Sequence, residues 1–434
     1  MKFLTRTVSL FMLAFALGKE TCAQRQFIRL PVCGDDPSVI KQQLKSTSFP
    51  QFVTRAAAVG GETLVPTLRE LSKPGEPFFT VGGAVQVSLA RLGDAQSLEE
   101  IKQEFQVSAK THKPEIFETI AKLGAVRNET SVMTLIGYLI QNRDNPKRKF
   151  DYGDTGDDPL ARVIEQLTSM LEDPPFKGAY PPSPNYELQL DEWQSWWQST
   201  KPPHVTSIYI EVSDTKARCL ARLAEWGDAD SVFELYQYSG KSILPVLERF
   251  ARLGDKTWET SPTKTVRGNA QTILAKEGDR TQLEKIIREL DDLSYADGIS
   301  KLQFIGGYQS FEALLSALSL RTFMRSERWR HYDRAYMKDD ERKLQTSLMA
   351  VLSSMVKNPP LPADAESTPE NIRTWNEWWE KNKPAPQFMQ SPNWHSRRFS
   401  SPRDRQSGQR NPCCVRISMK VIGISLLYSV TPLC

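Results

Sequence analysis

The sequence predicts an all-α protein, an α-solenoid of helical hairpins in two duplicated halves, and three observations carry this prediction. Leu and Ala recur at three- and four-residue spacings, which places them on one face of a helix. Glycine turns separate these segments at intervals of 24 to 32 residues, a period typical of helical-hairpin repeats. Tryptophan and proline landmarks of the first half recur 182 to 185 residues later.

Residues 1–23 have the three parts of a secretory signal peptide. Lys2 and Arg6 precede an 11-residue apolar run from Val8 to Gly18, and the favoured cleavage site follows Ala23. As a helix this run would span only about 16 Å, against roughly 30 Å of bilayer hydrocarbon. We therefore expect an exported protein, periplasmic or extracellular, with no transmembrane segment after cleavage.

Helix-period segments ending in a glycine and an aspartate follow the signal peptide. The glycine is expected to adopt a left-handed conformation that ends its helix, and the aspartate can cap the next helix. The clearest segments are Gly83–Asp94, Lys216–Asp228, Ile243–Asp255 and Val266–Asp279. The turn glycines are Gly61, Gly93, Gly124, Gly227, Gly254, Gly278 and Gly307.

One of these segments resembles a known repeat family. The pattern Val266-Arg267-x-x-Ala270-x-x-x-Leu274-Ala275-x-x-Gly278-Asp279 is similar to the second helix and exit turn of a HEAT repeat, in particular of the phycobilisome-lyase-like subtype. The resemblance covers most of residues 49–141 and 215–320. It implies a curved stack of helix pairs with a concave binding surface and no fixed chemistry.

The two halves of the chain are predicted to be a tandem duplication, with boundaries at 34–203 and 204–385. Each half reads as a HEAT-like block, a longer helix ending in Pro-Pro, a proline-rich connector and a short Trp-rich helix. The matched landmarks are Gly124 with Gly307, Asp157-Asp158 with Asp339-Asp340, Pro174-Pro175 with Pro359-Pro360, and Trp193-x-x-Trp196-Trp197 with Trp375-x-x-Trp378-Trp379.

The two Trp-rich helices are the most distinctive candidate sites. Spacing i, i+3, i+4 places all three indoles of each helix on one face. Such a face can stack on sugars or grip a peptide, but it can also pack across the open end of a repeat block as a hydrophobic cap. The capping interpretation is favoured, and the candidate binding residues are Trp193, Trp196, Trp197, Trp375, Trp378 and Trp379.

The acidic run Asp151–Asp158 is a second candidate, since carboxylates are the ligands that calcium prefers. The run lacks the spacing and the terminal glutamate of an EF-hand loop. The duplicated aspartate pair indicates instead that Asp158 and Asp340 each cap a helix. We therefore expect no metal site.

The sequence contains few of the residue patterns that enzymes use for catalysis. The HExxH, GxSxG, P-loop and GxGxxG motifs are absent, and so are the His-Glu pairs of iron-binding HEAT-like hydroxylases. We expect no enzymatic activity, no catalytic residues and no cofactor. The scattered histidines are His112, His204, His331 and His395.

The cysteines do not indicate a disulfide framework. Removal of Cys22 with the signal peptide leaves an odd number, without metal-ligand spacing. Export permits an oxidised pair, but Cys219 lies within a helical pattern, where a buried structural thiol is the favoured interpretation.

The basic charge of the chain is concentrated at its two ends. The net charge is +4, of which residues 1–23 carry +2 and residues 386–434 carry +6, so that the stretch between them carries −4. This distribution does not favour a nucleic-acid-binding body. Residues 386–434 are predicted to be a largely disordered basic tail, whose apolar run Val421–Val430 is too short to cross a bilayer.

These observations predict an exported, non-enzymatic HEAT-like scaffold that binds a protein or peptide partner through an extended helical surface. Two other classes stay open. One is a carbohydrate-binding protein that uses the Trp-rich helices. The other is a repeat-scaffold enzyme, which would need acids or histidines gathered from several repeats onto one face.

Overall fold

The computed structural model of the protein describes residues 29–111, 115–143, 158–175, 186–199, 207–254, 265–291, 295–319, 334–383, 388, 415–422 and 425–432. Most of these residues lie in α-helices, which confirms the predicted all-α class. The described strands form one hairpin near the C-terminus.

The helices of residues 34–203 follow one another closely along the chain. They are α1 (Pro37–Ser46), α2 (Pro50–Gly60), α3 (Val65–Leu71), α4 (Val81–Arg91), α5 (Ala95–Thr111), α6 (Glu115–Val126), α7 (Glu129–Asn142), α8 (Pro159–Met170) and α9 (Tyr186–Ser199). A 3-10 turn at Gly61–Leu64 joins α2 to α3.

The helices of residues 204–385 come in a similar order. They are α10 (Thr215–Glu225), α11 (Asp230–Ser239), α12 (Leu244–Arg252), α13 (Val266–Lys276), α14 (Arg280–Arg288), α15 (Tyr295–Ile305), α16 (Gly307–Ser319), α17 (Arg334–Met355) and α18 (Pro369–Asn382). A 3-10 turn at Gly240–Ile243 joins α11 to α12, as Gly61–Leu64 joins α2 to α3.

Three glycine–aspartate turns share one hydrogen-bonding pattern, the Schellman motif, in which the glycine is left-handed. Gly93, Gly227 and Gly278 have φ angles of 91°, 105° and 107°, as predicted. The aspartate amide after each glycine donates to a leucine carbonyl five residues earlier, at 3.0 Å in every copy. The pairs are Asp94 with Leu89, Asp228 with Leu223, and Asp279 with Leu274.

Two other turn glycines have a different role from the one predicted. Gly124 lies inside α6, where a Cβ atom would stand 2.1 Å from Oε1 of Gln166 in α8. Gly254 is not left-handed, and a Cβ atom there would stand 1.9 Å from the carbonyl oxygen of Thr168. The cap prediction was wrong at both positions, because close approach of the backbone to α8 explains the missing side chain.

The aspartate caps differ between the two halves. Asp158 caps α8 as predicted, since its carboxylate accepts a hydrogen bond from the Leu160 amide at 2.9 Å and Pro159 opens the helix. Asp340 does not cap the matching helix, because α17 begins at Arg334 and continues through it. The preceding acidic residues 151–157 lie outside the described part of the chain.

The chain divides into two compact units, residues 1–298 and residues 299–434. In the first unit, one apolar cluster joins α1 to α4 around Phe52 and Leu89, and a second joins α4 to α9 around Ile120 and Leu167. In the second unit, the buried Phe311 of α16 lies against the aromatic side chains of α18.

A disulfide joins the N-terminal segment of the first unit to α10. The sulfur atoms of Cys33 and Cys219 are bonded, and the two Cα atoms are 5.9 Å apart. The expectation of a free buried thiol at Cys219 was therefore wrong. The reason is tertiary: α10 packs beside α2, and Ala58 and Leu223 surround the bond.

The C-terminal residues form a hairpin in which β1 (Val415–Ile422) pairs antiparallel with β2 (Ser425–Pro432). Of the basic tail 386–434, predicted to be largely disordered, residues 389–414 lie outside the described residues. None of the helices in the described ranges has both the length and the apolar character that a membrane crossing requires.

Candidate functional site

Two of the three tryptophans of α9 are buried in the core of the first unit. Trp193 is 1% exposed and Trp197 is 7% exposed, and both belong to the apolar cluster that joins α4 to α9. Trp196 is half-buried, with its ring edge-on to that of Trp193 at 5.5 Å between centroids. This burial matches the capping interpretation and leaves one partly exposed indole on the helix.

The tryptophans of α18 have the same distribution in the second unit. Trp375 and Trp379 are buried, and the Trp379 ring lies 4.8 Å from that of Phe311. Trp378 is half-buried. A sugar-stacking face built from three indoles per helix therefore lacks two of its three side chains in each half.

A surface cleft of about 600 Å³ lies in the first unit. This volume lies within the range of small-ligand and side-chain pockets. One face of α5, the first two turns of α6 and the loop after α3 form its walls. Its acidic lining consists of Glu76, Glu100, Glu104, Glu115 and Glu118.

Helical spacing explains how these carboxylates reach one cleft. On α5, Glu100, Glu104 and Val107 recur at intervals of four and three, while the buried stripe of the same helix contains Ile101 and Phe105. On α6, the lining residues of the first turns recur with the same period. The amphipathic pattern that buries one face of each helix thus turns these side chains toward the cleft.

The floor of the cleft is a closed hydrogen-bond network around Glu104. Its Oε2 atom accepts from Nζ of Lys122 at 2.5 Å. Its Oε1 atom accepts from the Gln86 amide at 2.9 Å and from the Gly75 backbone N–H at 3.1 Å. Lys122 also donates to Oε1 of Gln86, and its side chain is only 3% exposed. Glu104 and Lys122 therefore neutralise each other and hold α4, α5, α6 and the loop together.

The rim of the cleft keeps its negative charge. Glu76 accepts a hydrogen bond from the Thr80 hydroxyl, and Glu100 accepts one from the Gln96 amide, neither of which is a cation. Within the described residues, Glu115 and Glu118 have no ion-pair partner. Val107 lines the same cleft and is 62% exposed. The site therefore combines an anionic rim with an apolar wall.

A second charged cluster, at the ends of α2, α8 and α10, is structural. Arg222 donates to the carbonyl oxygens of Ala58 and Val59, and Arg127 donates to those of Ser169 and Glu225. These bonds satisfy carbonyl groups that helix ends leave free, and cations also favour that end of the helix dipole.

Glu225 itself lies inside this cluster. Burial raises the pKa of its carboxyl, although Arg127 acts against that rise. The Arg91 guanidinium lies over the Trp226 ring, with 4.3 Å from Cζ to the ring centroid. Because the arginine donors are used on backbone and ring, the cluster serves the packing of α2, α8 and α10 rather than a ligand.

No group of three or more potential metal ligands occurs in the described ranges of the chain. The four histidines named in the sequence analysis lie outside those ranges, and so do the cysteines of the C-terminal region. The structure therefore does not test the sequence-based expectations about calcium binding by Asp151–Asp158 and about histidine chemistry.

Sequence reasoning missed the cleft. The acidic residues of α5 and α6 were visible at helical spacing, and Glu115 and Glu118 read naturally as first-turn charges that stabilise a helix N-terminus. The sequence does not indicate that the acidic faces of α5 and α6 lie next to each other in the folded chain. The burial of Lys122 had no sequence signal either, because a lysine in an amphipathic helix is usually solvated.

The fold and the cleft together define an all-α protein with an anionic, partly apolar surface site. A scan against protein-family models finds no matching family, and searches of curated proteins and of solved structures find no significant match.

Proposed function

We propose that this protein is an exported, non-enzymatic helical-repeat scaffold that binds a protein or peptide partner. In this proposal the repeats are HEAT-like hairpins stacked as a solenoid in two duplicated halves. The single observation that carries the binding role is the open cleft formed by α5, α6 and the loop after α3.

Export is supported by two independent features. The sequence begins with a signal-peptide pattern at residues 1–23. The disulfide between Cys33 and Cys219 is a bond that persists in oxidising compartments and is rare in the cytosol. A periplasmic or extracellular location accounts for both.

The repeat architecture is supported by recurring local geometry. Gly61 and Gly240 have φ angles of 57° and 60°, and each ends one helix and opens a 3-10 turn. Thr80 and Thr265 each cap a helix by accepting a hydrogen bond from a glycine amide three residues on, at 3.2 Å and 3.0 Å. The Trp-rich helices α9 and α18 both have 14 residues. Such matches favour an ancestral unit that was copied once.

The proposal is tested by peptide binding to the purified mature chain. A peptide array of varied composition is probed with the wild type and with two exposed-site variants, Val107→Arg in the cleft and Met133→Arg on α7. Met133 is 48% exposed and does not line the cleft, so it is the matched control. We expect the wild type and the Met133 variant to retain a common set of peptides that the Val107 variant loses.

Two results would reject the proposal. One is that the array retains no peptide while the chain turns over a substrate. The other is that Val107→Arg retains every peptide that the wild type retains, since the cleft would then not be the binding surface.

A further inference from the structure

We infer that the occupant of the cleft is a basic segment of a partner protein in which a lysine or arginine lies next to an apolar side chain. This inference rests on the proposed function and adds the chemistry of the ligand. It depends on the contrast between the neutral floor and the anionic rim of the cleft, together with the exposed valine on its wall.

The floor offers a ligand no free charge. Both carboxylate oxygens of Glu104 are already engaged, and its counter-ion Lys122 is buried beneath it. A cation that entered the cleft would therefore not exchange with Lys122. It would meet the carboxylates above the floor.

The rim supplies those carboxylates on three sides. Glu76 lies on the loop, Glu100 on α5, and Glu115 and Glu118 on the first turns of α6. Among the described residues, Glu76 and Glu100 accept hydrogen bonds only from the neutral groups of Thr80 and Gln96. Several like charges around one depression attract a mobile cation, and they disfavour an anionic ligand.

The wall restricts the ligand further. Val107 projects from α5 into the same cleft and is 62% exposed, although large apolar side chains at binding surfaces are usually covered when a partner is bound. A simple metal ion or polyamine would leave this side chain in water. A peptide with an apolar residue beside its basic residue covers the valine and pairs with the rim at once.

A purely structural role for the rim glutamates predicts a different behaviour. Glu115 and Glu118 lie in the first turn of α6, where negative charge stabilises the helix dipole. Glu129 has the same position in α7 but does not line the cleft. Comparing the two sites separates helix stabilisation from ligand binding.

The experiment measures fluorescence anisotropy of three short labelled peptides with the full mature chain. One peptide has lysines flanking leucine, the second has glutamates flanking leucine, and the third has serines flanking leucine. We expect the lysine peptide to bind best and to lose affinity as salt is raised. The double variant Glu115→Gln/Glu118→Gln should weaken that binding roughly three- to tenfold, and Glu129→Gln should not change it.

Each outcome decides a different point. Binding of the glutamate or serine peptide in preference to the lysine peptide overturns the inferred ligand chemistry and leaves peptide binding intact. Lysine-peptide binding that the double variant does not weaken overturns the cleft as its site. Failure of all three peptides overturns the inferred ligand chemistry, and an empty peptide array together with turnover of a substrate overturns the proposed function itself. Thermal unfolding of each variant verifies that a lost signal is not lost folding.

Discussion

At the residue scale, the glycine–aspartate pair explains much of how this chain folds. In the turn after α4, Gly93 reverses the backbone, and Asp94 then serves two partners. Its carboxylate accepts from the backbone N–H and the hydroxyl of Ser97, at 3.0 Å and 2.8 Å, and from the Arg69 guanidinium. The cap was predictable from the sequence, because glycine and aspartate each have a strong local preference. The ion pair with Arg69 was not, because it depends on α3 lying beside the turn.

Asp94 provides a test by pH. Burial by itself would raise the pKa of this carboxyl, but the hydrogen bonds from Arg69 and Ser97 hold the pKa below its ordinary value of 3.8. Because the folded-state pKa is the lower one, the stabilisation is present above pH 3.8 and is lost as the pH falls through the folded-state pKa.

We expect Asp94→Asn to be less stable than the wild type at neutral pH, by an amount that shrinks in acid below pH 3.8. Chemical unfolding across this pH range measures the difference. Asp230→Asn, at an exposed position on α11, is the control. A difference that stays constant down to the lowest pH would contradict the assignment.

At the element scale, helix identity could be predicted but helix contacts could not. The apolar period correctly indicated α4, α10, α12 and α13, and the tryptophan spacing correctly indicated helices at α9 and α18. The roles of Gly124 and Gly254 were missed, because a tight crossing and a helix cap both call for glycine. The cleft was missed for a related reason. The sequence shows that α5 and α6 each have a polar face, but it does not show that these two faces lie against each other.

Gly254 tests the crossing between α8 and the end of α12. Gly254→Ala would place Cβ 1.9 Å from the Thr168 carbonyl oxygen, and a backbone atom cannot rotate away. We expect a loss of about 1–3 kcal/mol in the free energy of unfolding, measured in urea. Gly137→Ala, inside α7 with open space around it, should instead gain about 0.5–1 kcal/mol. Equal stability of the two variants would refute the close contact.

The Trp-rich helix α18 tests the capping interpretation. Trp375 is fully buried, whereas Trp378 is half-buried on the same helix. We expect Trp375→Ala to cost about 3–5 kcal/mol and Trp378→Ala distinctly less. Tryptophan emission of the native protein should be blue-shifted and poorly quenched by acrylamide. Strong quenching, with little loss of stability in Trp375→Ala, would favour an exposed ligand-binding face.

At the scale of the whole molecule, the first unit is held together by contacts between residues far apart in the sequence. Arg249 and Arg252 of α12 both pair with Glu172, at 2.5 Å and 2.7 Å, just beyond the end of α8. The disulfide joins positions 186 residues apart. Neither kind of contact has a local sequence signature, so neither could be predicted from the sequence.

Reduction of the disulfide provides the test at this scale. We expect the double variant Cys33→Ser/Cys219→Ser to lose about 2–5 kcal/mol of unfolding free energy, because the cross-link restricts the unfolded chain over a long loop. Reductant should lower the melting temperature of the wild type and leave that of the double variant unchanged. A wild-type melting temperature indifferent to reductant would show that the bond does not contribute.

The position of this bond also bears on how the chain is made. Translation proceeds from the amino end, so Cys33 leaves the ribosome long before Cys219. Between these two positions the sequence has no other cysteine, and Cys413 is the next one after them. The first downstream thiol that Cys33 can meet within its own chain is therefore its native partner. Once the proposed signal peptide has been cleaved and Cys22 removed with it, the order of emergence therefore favours the native pair.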